Sequence, residues 1–492
     1  MNLLISIVFI LWTFRIVTNL LSYIQLWWVK EYRFDRMLIH LGTQQGKKIL
    51  IPSFRKPPVT VKTVLIFILS LITLAELFLL LPKPIFLTFI FVDLLTFPIT
   101  GMWVSILSVP TFLHHNWLIN NAVRKLRSHP PHWTVGITGS FGKTSIKEFL
   151  TTILSTKHHT LKTERSKNSP IGIAEVILAQ PKMNYDIFVV EMGAYKIGEI
   201  RDMSKMVRPQ VGIVTAINPQ HQDLFGSIEN TMRAKYELIE SLPTDGIAIF
   251  NADDPLVLEM AQWANKAGRK VWLYSKTEQK MPNWADRMLF GTNITVSDRK
   301  IAFIIICGKE KYGIEIPILG IHQVSNILAA VLGAVAIGMS LKDAVAASGN
   351  IRPFTNTMVP MTGINGSLFI NDTFNNNPDA AKAALDYLKI RKGKKYFIFQ
   401  PMIELGQYTQ SAHIEVGAYA AKICDEIILT NGNFYESFNK GVRSTNQQKE
   451  AKVLSPKNAV QLLMHKIQKG DTVLFKGKEA ENILKLLQIQ SY

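Results

Sequence analysis

Long apolar runs with few charges dominate the N-terminal part of the chain. Residues 3–28 form one run, interrupted by Arg15, and residues 61–81 form a second. A third run, residues 85–113, contains Pro98 and is too short for two crossings, so it predicts one tilted or kinked helix. Each run is long enough to span a bilayer as a helix. The pattern therefore predicts three membrane spans.

The distribution of basic residues predicts how these spans are oriented. The loop between the first two runs is rich in cations, namely Lys30, Arg33, Arg36, Lys47, Lys48, Arg55, Lys56 and Lys62, whereas the turn at Lys83 is nearly free of charge. The positive-inside rule then places the basic loop and everything after His115 in the cytoplasm. A cleaved signal peptide is disfavoured, because "MNLL" lacks a basic n-region. We expect a multi-pass protein of the cell membrane with cytoplasmic catalytic domains.

Three ionisable residues, Arg15, Glu76 and Asp93, lie inside the predicted spans. A charge inside a membrane favours a partner of opposite sign, so Arg15 can pair with one of the acids. Snorkelling to the interface, or a span end placed wrongly, is the alternative. Neither interpretation makes these residues catalytic.

The pattern changes after the third run, where short apolar segments alternate with amphipathic ones. "YDIFVVE", "VGIVTAI" and "GIAIFNAD" are typical of buried strands in a mostly parallel sheet, and weaker alternation in 281–317 predicts a small antiparallel insertion. "LFIND", "KKYFIFQ", "EIILTNG" and "DTVLFKG" predict a second, Rossmann-like sheet. The predicted fold class is α/β, with a membrane region (1–128), a central domain (129–351) and a C-terminal domain (352–492).

The composition and net charge indicate which classes of partner the protein contacts. The formal net charge of +18 over 492 residues could serve nucleic acid, but no arginine-rich tract or RNA-binding aromatic signature is present. A basic surface beside anionic lipid explains the excess, so we expect a lipid bilayer and no nucleic acid as partner. Cys307 and Cys424 give no disulfide framework or metal-ligand spacing, which fits a reducing cytosolic setting.

The stretch "GITGSFGKTSIKEFL" places a glycine-rich turn between a predicted strand and a predicted helix. Backbone amides of such a turn can face phosphates, a lysine adds a point charge and a threonine can hold magnesium. Ile137 stands where the longer GxxxxGK[ST] pattern has its first glycine, so a turn without a ligand is the alternative. The residues expected to bind the phosphates of ATP are Gly139, Ser140, Gly142, Lys143 and Thr144.

Glu191 ends the apolar strand "YDIFVVE". A carboxylate there can bind the metal that bridges ATP phosphates, although an acid at a strand end also occurs without any ligand. We therefore treat Glu191 as a candidate magnesium ligand.

The shorter form TGxxGKT resembles the Mur ligase family, and further blocks recur in that family's order and approximate spacing up to the C-terminal end. They are "KNSPIGIAEVIL", "VVEMGAYKIGEI", "INPQHQDLFGSIENTMRAKYELI", "NADDP", "GIHQVSNILAAVLGAVAIGM", "INDTFNNNPDAAKAAL" and "ELGQYTQSAHIEVG". The blocks "VVEMGAYKIGEI" and "INDTFNNNPDAAKAAL" are most similar to the branch that adds D-alanyl-D-alanine to UDP-linked muramoyl tripeptide. The resemblance implies a P-loop central domain and a Rossmann-like C-terminal ligase domain.

The resemblance also implies roles for individual residues. His221 would help to bind a second magnesium, and Lys235 would be carbamoylated and bind metal as a carboxylate. Asn251 and Asn326 would hold the adenine, and Asp372 would lie near the ribose and the transferred phosphate. The catalytic set is Lys143, Lys235, His221 and Asp372. The substrate-facing set is Asn375, Asn377, His413 and Lys476.

Several positions depart from the family's pattern. The Gly-Arg pair that usually precedes the "DD" block is missing from "IRPFTNTMVPM", and Arg352 is the candidate substitute. Asn371 and Phe374 replace an aspartate and a tyrosine, and "QPM" (400–402) replaces a glycine and an acid. The soluble domain that binds the UDP-sugar in the family is replaced by the apolar runs. These changes affect the identity of the substrate more than the ATP chemistry.

The resemblance implies that an acceptor carboxylate attacks ATP to form an acyl phosphate, from which an amine displaces phosphate. We expect an ATP- and magnesium-dependent, membrane-anchored peptide ligase of peptidoglycan precursor synthesis. Its acceptor would be a muramoyl peptide or another wall precursor, and its amine D-alanyl-D-alanine or a relative. A Mur-type ligase for another wall or lipid-linked acceptor, and a nucleotide-binding scaffold without turnover, are the alternatives.

Overall fold

The computed structural model describes residues 3–41, 49, 52, 54–81, 84–164, 167–218, 225–354, 356–403, 405–445 and 448–489. It divides into two compact units, Met1–Asn120 and Asn121–Tyr492.

The first unit is helical. Its helices are α1 (Leu3–Val29), α2 (Phe34–Leu41), α3 (Val61–Leu80) and α4 (Ile85–Ser128), the last of which continues into the second unit. Within the described residues, α1, α3 and α4 are long and apolar enough to cross a membrane. Helix α4 stays continuous across Pro98 and Pro110, so the predicted single helix is confirmed, but it extends past the predicted end at residue 113.

A polar contact inside the first unit connects α1 to α4. Arg15 Nη2 lies 2.8 Å from Asp93 Oδ2, and Asn19 Nδ2 donates to Asp93 Oδ1 at 3.2 Å. The predicted pairing of Arg15 with an acid is therefore confirmed, and the acid is Asp93.

The first part of the second unit forms a sheet of nine strands in the order β2-β3-β1-β4-β5-β6-β7-β8-β9. The strands from β2 to β7 in this order are parallel, and β7, β8 and β9 are antiparallel. Their bounds are β1 (Trp133–Thr138), β2 (Thr160–Lys162), β3 (Ile187–Glu191), β4 (Val211–Val214), β5 (Ile247–Asn251), β6 (Lys270–Ser275), β7 (Arg287–Val296), β8 (Ile301–Cys307) and β9 (Glu310–Ile316). The mostly parallel sheet predicted from the apolar runs is confirmed.

The antiparallel segment differs from its prediction in one respect. Strand β7 pairs with β6 in parallel, from Trp272 opposite Arg287 to Ser275 opposite Phe290, before it turns to β8. The strands expected as a separate insertion therefore extend the edge of the main sheet.

Helices cover this sheet. They are α5 (Lys143–Leu154), α6 (Pro170–Ala179), α7 (Glu199–Val207), α8 (Ile228–Glu240), α9 (Pro255–Lys266), α10 (His322–Ala336) and α11 (Leu341–Ser348). The largest core cluster joins strand residues such as Val135 and Ile213 to Phe149 and Leu150 of α5 and to Leu328 of α10. This packing holds the start of α5 at the carboxyl end of β1.

The C-terminal part forms a six-stranded sheet in the order β10-β11-β15-β12-β13-β14. All neighbours are parallel except β10 and β11. The strands are β10 (Val359–Thr362), β11 (Leu368–Asp372), β12 (Lys395–Phe399), β13 (Glu426–Leu429), β14 (Lys452–Val453) and β15 (Thr472–Lys476). The helices are α12 (Pro378–Lys389), α13 (Thr409–Ile423), α14 (Tyr435–Thr445), α15 (Pro456–Lys466) and α16 (Lys478–Ile489). The predicted Rossmann-like sheet is confirmed.

Candidate active site

The glycine-rich loop lies between β1 and α5, as its sequence context predicts. Gly139 has φ +148° and Gly142 has φ +83°, both in the region that favours glycine. A Cβ at position 139 would lie 1.8 Å from Thr215 Oγ1, at the carboxyl end of the neighbouring β4. The loop thus needs glycine at position 139 for space as well as for conformation.

Lys143 folds back over this loop. Its Nζ donates to the carbonyl oxygens of Gly139 at 2.7 Å and Ser140 at 3.2 Å. Burial lowers the pKa of Lys143, and the carboxylate of Glu191 opposes that shift. The ammonium group therefore lies where phosphates bound by the loop amides would meet it.

Thr144 and Glu191 meet beside the loop. The Thr144 hydroxyl donates to Glu191 Oε2 at 3.0 Å, and Asn168 Nδ2 donates to Glu191 Oε1 at 3.0 Å. A hydroxyl and a carboxylate are oxygen donors of the kind that magnesium prefers. The described residues contain no group of three or more histidine, cysteine, aspartate or glutamate side chains arranged for a metal. These oxygens fit a magnesium ion whose other ligands are phosphate oxygens or water.

Lys235 reaches the same loop from α8. Its side chain is buried, and its Nζ donates to the Gly139 carbonyl oxygen at 3.0 Å, so it shares that oxygen with Lys143. Burial first, and then the charge of Lys143, lower the pKa of Lys235 well below its ordinary value. A lowered pKa increases the neutral fraction of the amine, which is the form that reacts with carbon dioxide.

The two predicted adenine residues occupy different positions around the loop. Asn326 in α10 is buried, its Nδ2 donates to Gln323 Oε1 at 2.8 Å, and a Cβ at Gly142 would lie 2.8 Å from its Oδ1. Asn326 therefore adjoins the loop. Asn251 ends β5, and its Oδ1 accepts the backbone N–H of Asp253 at 3.1 Å.

The C-terminal domain contributes a buried ion pair. Asp372 and Lys476 end the adjacent strands β11 and β15 in register, and Lys476 Nζ lies 2.5 Å from Asp372 Oδ2. Asn375 is exposed, whereas Asn377 is buried and caps α12 by accepting the backbone N–H of Ala380 at 2.9 Å. These residues lie at the carboxyl edge of the sheet, where parallel α/β sheets bind ligands.

His413 lies inside the C-terminal domain with 0% of its surface exposed. Its Nε2 accepts the backbone N–H of Met402 at 3.0 Å, and its Nδ1 lies 2.6 Å from the Thr409 carbonyl oxygen. Burial lowers the pKa of His413, which favours a neutral ring that donates from Nδ1. Both ring nitrogens therefore contact backbone groups, and a substrate role for His413 stays a prediction.

Two further predictions concern His221 and Arg352. His221 lies outside the described residues. Arg352 Nη1 donates to the carbonyl oxygens of Gly349 at 2.8 Å and Ile351 at 2.9 Å, next to the end of α11. In this arrangement the guanidinium group caps a helix end.

Sequence reasoning missed three side chains at the site. Lys147 is completely buried with its Nζ 3.4 Å from Glu191 Oε2, and Asn168 holds the other oxygen of that carboxylate. Asn218 donates its N–H to Ser140 Oγ at 3.1 Å and its Nδ2 to Asp379 Oδ2 in α12 at 3.0 Å. A signal existed for Lys147, because it lies one turn after Lys143 on the apolar face of an amphipathic helix.

Two domain families match this chain in sequence. The Mur ligase middle domain matches residues 137–334, and the glutamate ligase domain of Mur ligases matches residues 358–479. The residues before 137 lie outside both matched regions.

Individual relatives give the same picture. UDP-N-acetylmuramoyl-tripeptide–D-alanyl-D-alanine ligase from Escherichia coli (strain K12) is 31% identical over 308 residues, which cover 62% of this chain and 66% of that enzyme. The enzyme of that name from Bacillus subtilis (strain 168) is 28% identical over 71% of this chain and 75% of its own length. A crystal structure of MurF from Acinetobacter baumannii superimposes with a TM-score of 0.68 at 26% identity, over 76% of this chain and 80% of that one.

Proposed function

Because the chain belongs to the Mur ligase family through its middle and C-terminal domains, we propose that it adds D-alanyl-D-alanine, or a related amine, to the carboxylate of a muramoyl peptide at the expense of ATP. The observation that carries this proposal is the convergence of Lys143 and Lys235 on Gly139, beside Thr144 and Glu191. A positively charged, glycine-rich loop with oxygen donors for a metal suits phosphoryl transfer.

In the first step the acceptor carboxylate attacks the γ-phosphorus of ATP, the bond to the β,γ-bridging oxygen breaks, and an acyl phosphate and ADP form. Lys143 and the amides of the loop stabilise the charge on the transferred phosphoryl group. Thr144 and Glu191 would hold magnesium, which supplies further positive charge. His221 and a carbamoylated Lys235 are proposed ligands of a second ion.

In the second step the amine attacks the acyl carbon, phosphate leaves and an amide forms. Asp372 and Lys476 lie at the carboxyl edge of the C-terminal sheet, which supports a position near the ribose and the reacting groups. Asn375 and Asn377 are the proposed substrate contacts from the following loop. Closure of the two domains would exclude water, to which an acyl phosphate is sensitive.

Carbamoylation of Lys235 has a physical argument besides the family resemblance. The lowered pKa makes its amine available to carbon dioxide, and the product is a carboxylate placed next to Lys143. Conversion of a second cation into an anion would relieve the repulsion between the two lysines.

We also propose that α1, α3 and α4 anchor the ligase in the cell membrane, with the catalytic domains in the cytoplasm. Their length and apolar composition support this. The acceptor would then be used beside the bilayer, as a UDP-linked muramoyl peptide or as a lipid-linked wall precursor. Comparison of a soluble and a lipid-linked acceptor in the same assay decides between the two sources.

The test measures phosphate release with ATP, magnesium and bicarbonate, while candidate acceptors and amines are supplied together and singly. We expect release that requires both substrates and falls at least ~100-fold in Lys143→Ala and Lys235→Ala. Lys157→Ala is a matched control, because that lysine pairs with Asp343 on the surface. Nucleotide binding without release for any substrate pair would instead favour a scaffold without turnover.

Orientation has a separate test. A membrane-impermeant amine reagent applied from outside should label Lys83 and spare Lys47, both of which lie outside the described residues. The reverse labelling would overturn the proposed orientation.

A further inference from the structure

Lys147 is a lysine that the proposed chemistry does not use. It lies in α5 one turn after Lys143, on the face that also carries the buried residues Leu150 and Thr151. Its exposed fraction is 0%, and its Nζ is 3.4 Å from both Glu191 Oε2 and Glu148 Oε1. The charge of Lys147 is therefore held inside the domain, next to the proposed metal carboxylate.

Stability alone does not account for a lysine at this position. Removing an ammonium group from water is expensive, and a buried ion pair is often no more stabilising than apolar side chains of similar volume. The same face of α5 packs apolar residues against the sheet, so leucine or methionine would suit it. A buried lysine here indicates that its charge has a function.

The two carboxylates near Lys147 differ in their other partners. Glu148 also pairs with Lys162, so its charge is compensated without Lys147. Among the described residues, the ion pair of Glu191 is the one with Lys147. Of these two carboxylates, Glu191 is therefore the one whose charge is compensated through Lys147.

Glu191 is held from several sides. Asn168 fixes Oε1, while Oε2 receives the Thr144 hydroxyl and faces Lys147. A divalent cation held by Thr144 and Glu191 would replace the hydrogen bond between these two side chains. Asn168 and Lys147 then remain to orient the carboxylate.

We propose that Lys147 is a positioning residue that holds Glu191 Oε2 in line with Thr144 for the divalent cation that accompanies the nucleotide. This inference rests on the proposed nucleotide site. Partners of this kind orient metal ligands, and their loss typically lowers metal affinity about 10- to 100-fold.

The experiment measures divalent cation binding directly on the full-length protein in detergent. Mn²⁺ is titrated in the presence of a non-hydrolysable ATP analogue and followed by electron paramagnetic resonance, with wild type, Lys147→Met and Lys162→Met compared. Lys162→Met is the matched control, because it removes the other cation from Glu148 and leaves Glu191 untouched. We expect at least a ~10-fold loss of Mn²⁺ affinity in Lys147→Met only.

Two further measurements separate positioning from packing. Affinity for the analogue without metal should stay within about twofold of wild type in Lys147→Met, since Lys147 is proposed to act through Glu191. If Lys147→Met fails to fold, Lys147→Gln is measured in its place, with the same expected loss of Mn²⁺ affinity. Mn²⁺ affinity that is unchanged or tighter in a folded variant would overturn the proposal, whereas absence of nucleotide binding in wild type would overturn the proposed function itself.

Discussion

Lys143 and Lys235 are brought together by a single backbone atom. Both donate to the carbonyl oxygen of Gly139, although 92 positions separate them in the sequence. Burial first, and then the charge of the nearby Lys143, lower the pKa of Lys235. The conformation of the loop around Gly139 is therefore critical for both lysines.

Gly139→Ala should abolish nucleotide binding, with a loss of at least ~100-fold. The added Cβ would lie 1.8 Å from Thr215 Oγ1, so the loop or β4 has to move. Titration with a fluorescent ATP analogue measures the effect. Gly268→Ala is the control, because φ there is +69° and, apart from its chain neighbours, no described residue comes within 4 Å of the added Cβ, so only backbone strain of about 1 kcal/mol is expected.

His322 should give the protein an acid-sensitive component of stability. Burial lowers its pKa to about 4, while the charges of Asp372 and Lys476 act on it in opposite directions. Because the folded state resists protonation, this component is complete above pH 6.5 and is lost as the pH falls towards 4. Urea unfolding measures the free energy of unfolding at pH 7.5 and at pH 4.5. The difference between these two values should be up to about 3 kcal/mol smaller in His322→Asn than in wild type. The matched control changes the exposed His465 to asparagine.

A residue of the candidate site could be predicted from the sequence only where a local sequence pattern marked it. The loop residues and Glu191 follow strands and turns that the chain displays directly, so they could be predicted as candidates. Asn168 and Asn218 could not, since their partners Glu191 and Asp379 are brought close only by tertiary packing. The complete burial of His413 could not be predicted either, because its contact with the backbone N–H of Met402 is a tertiary one.

At the scale of elements, apolar patterns predicted the type of element better than its limits or neighbours. Three long apolar runs gave three helices, but α4 extends to Ser128, because no proline or glycine interrupts residues 114–128 and the good helix formers Arg124, Lys125, Leu126 and Arg127 lie near its end. Strands β7–β9 alternate as expected of antiparallel strands. Alternation carries no information on which sheet a strand joins, and so their continuity with β6 could not be read from it.

The contact between α1 and α4 should depend on the pairing of Arg15 with Asp93. Replacing either residue alone, in Arg15→Met or Asp93→Leu, removes this ion pair from between the apolar helices and should destabilise the first unit by about 1–3 kcal/mol. The double variant should recover much of this loss. Thermal unfolding in detergent measures the stability of wild type, the two single variants and the double variant. Glu76→Gln is the control, because Glu76 is exposed and forms no ion pair with any residue that the structure describes.

The whole catalytic part is two sheets whose carboxyl edges carry the proposed site. The alternation of strands and helices was sufficient to predict both sheets and their parallel character. How the two sheets are joined could not be predicted from the sequence, because the hydrogen bond between Asn218 and Asp379 links positions 161 residues apart. Asn218 also contacts Ser140 in the glycine-rich loop, so it connects the proposed nucleotide site to α12 of the C-terminal domain.

Asp379→Ala should therefore slow ligation without weakening nucleotide binding. Loss of the hydrogen bond to Asn218 removes one contact that aligns the C-terminal domain with the loop, and misalignment of reacting groups lowers turnover by about tenfold or more. Phosphate release gives kcat, and titration with an ATP analogue should give an affinity within about twofold of wild type. Glu415→Ala is the matched control, because among the described residues the ion pair it breaks is the one with Lys382, which Asp379 also contacts, while the hydrogen bond from Asn218 to Asp379 is kept. Equal losses of kcat in both variants would show that the surface of α12, and not its bond to Asn218, is what turnover requires.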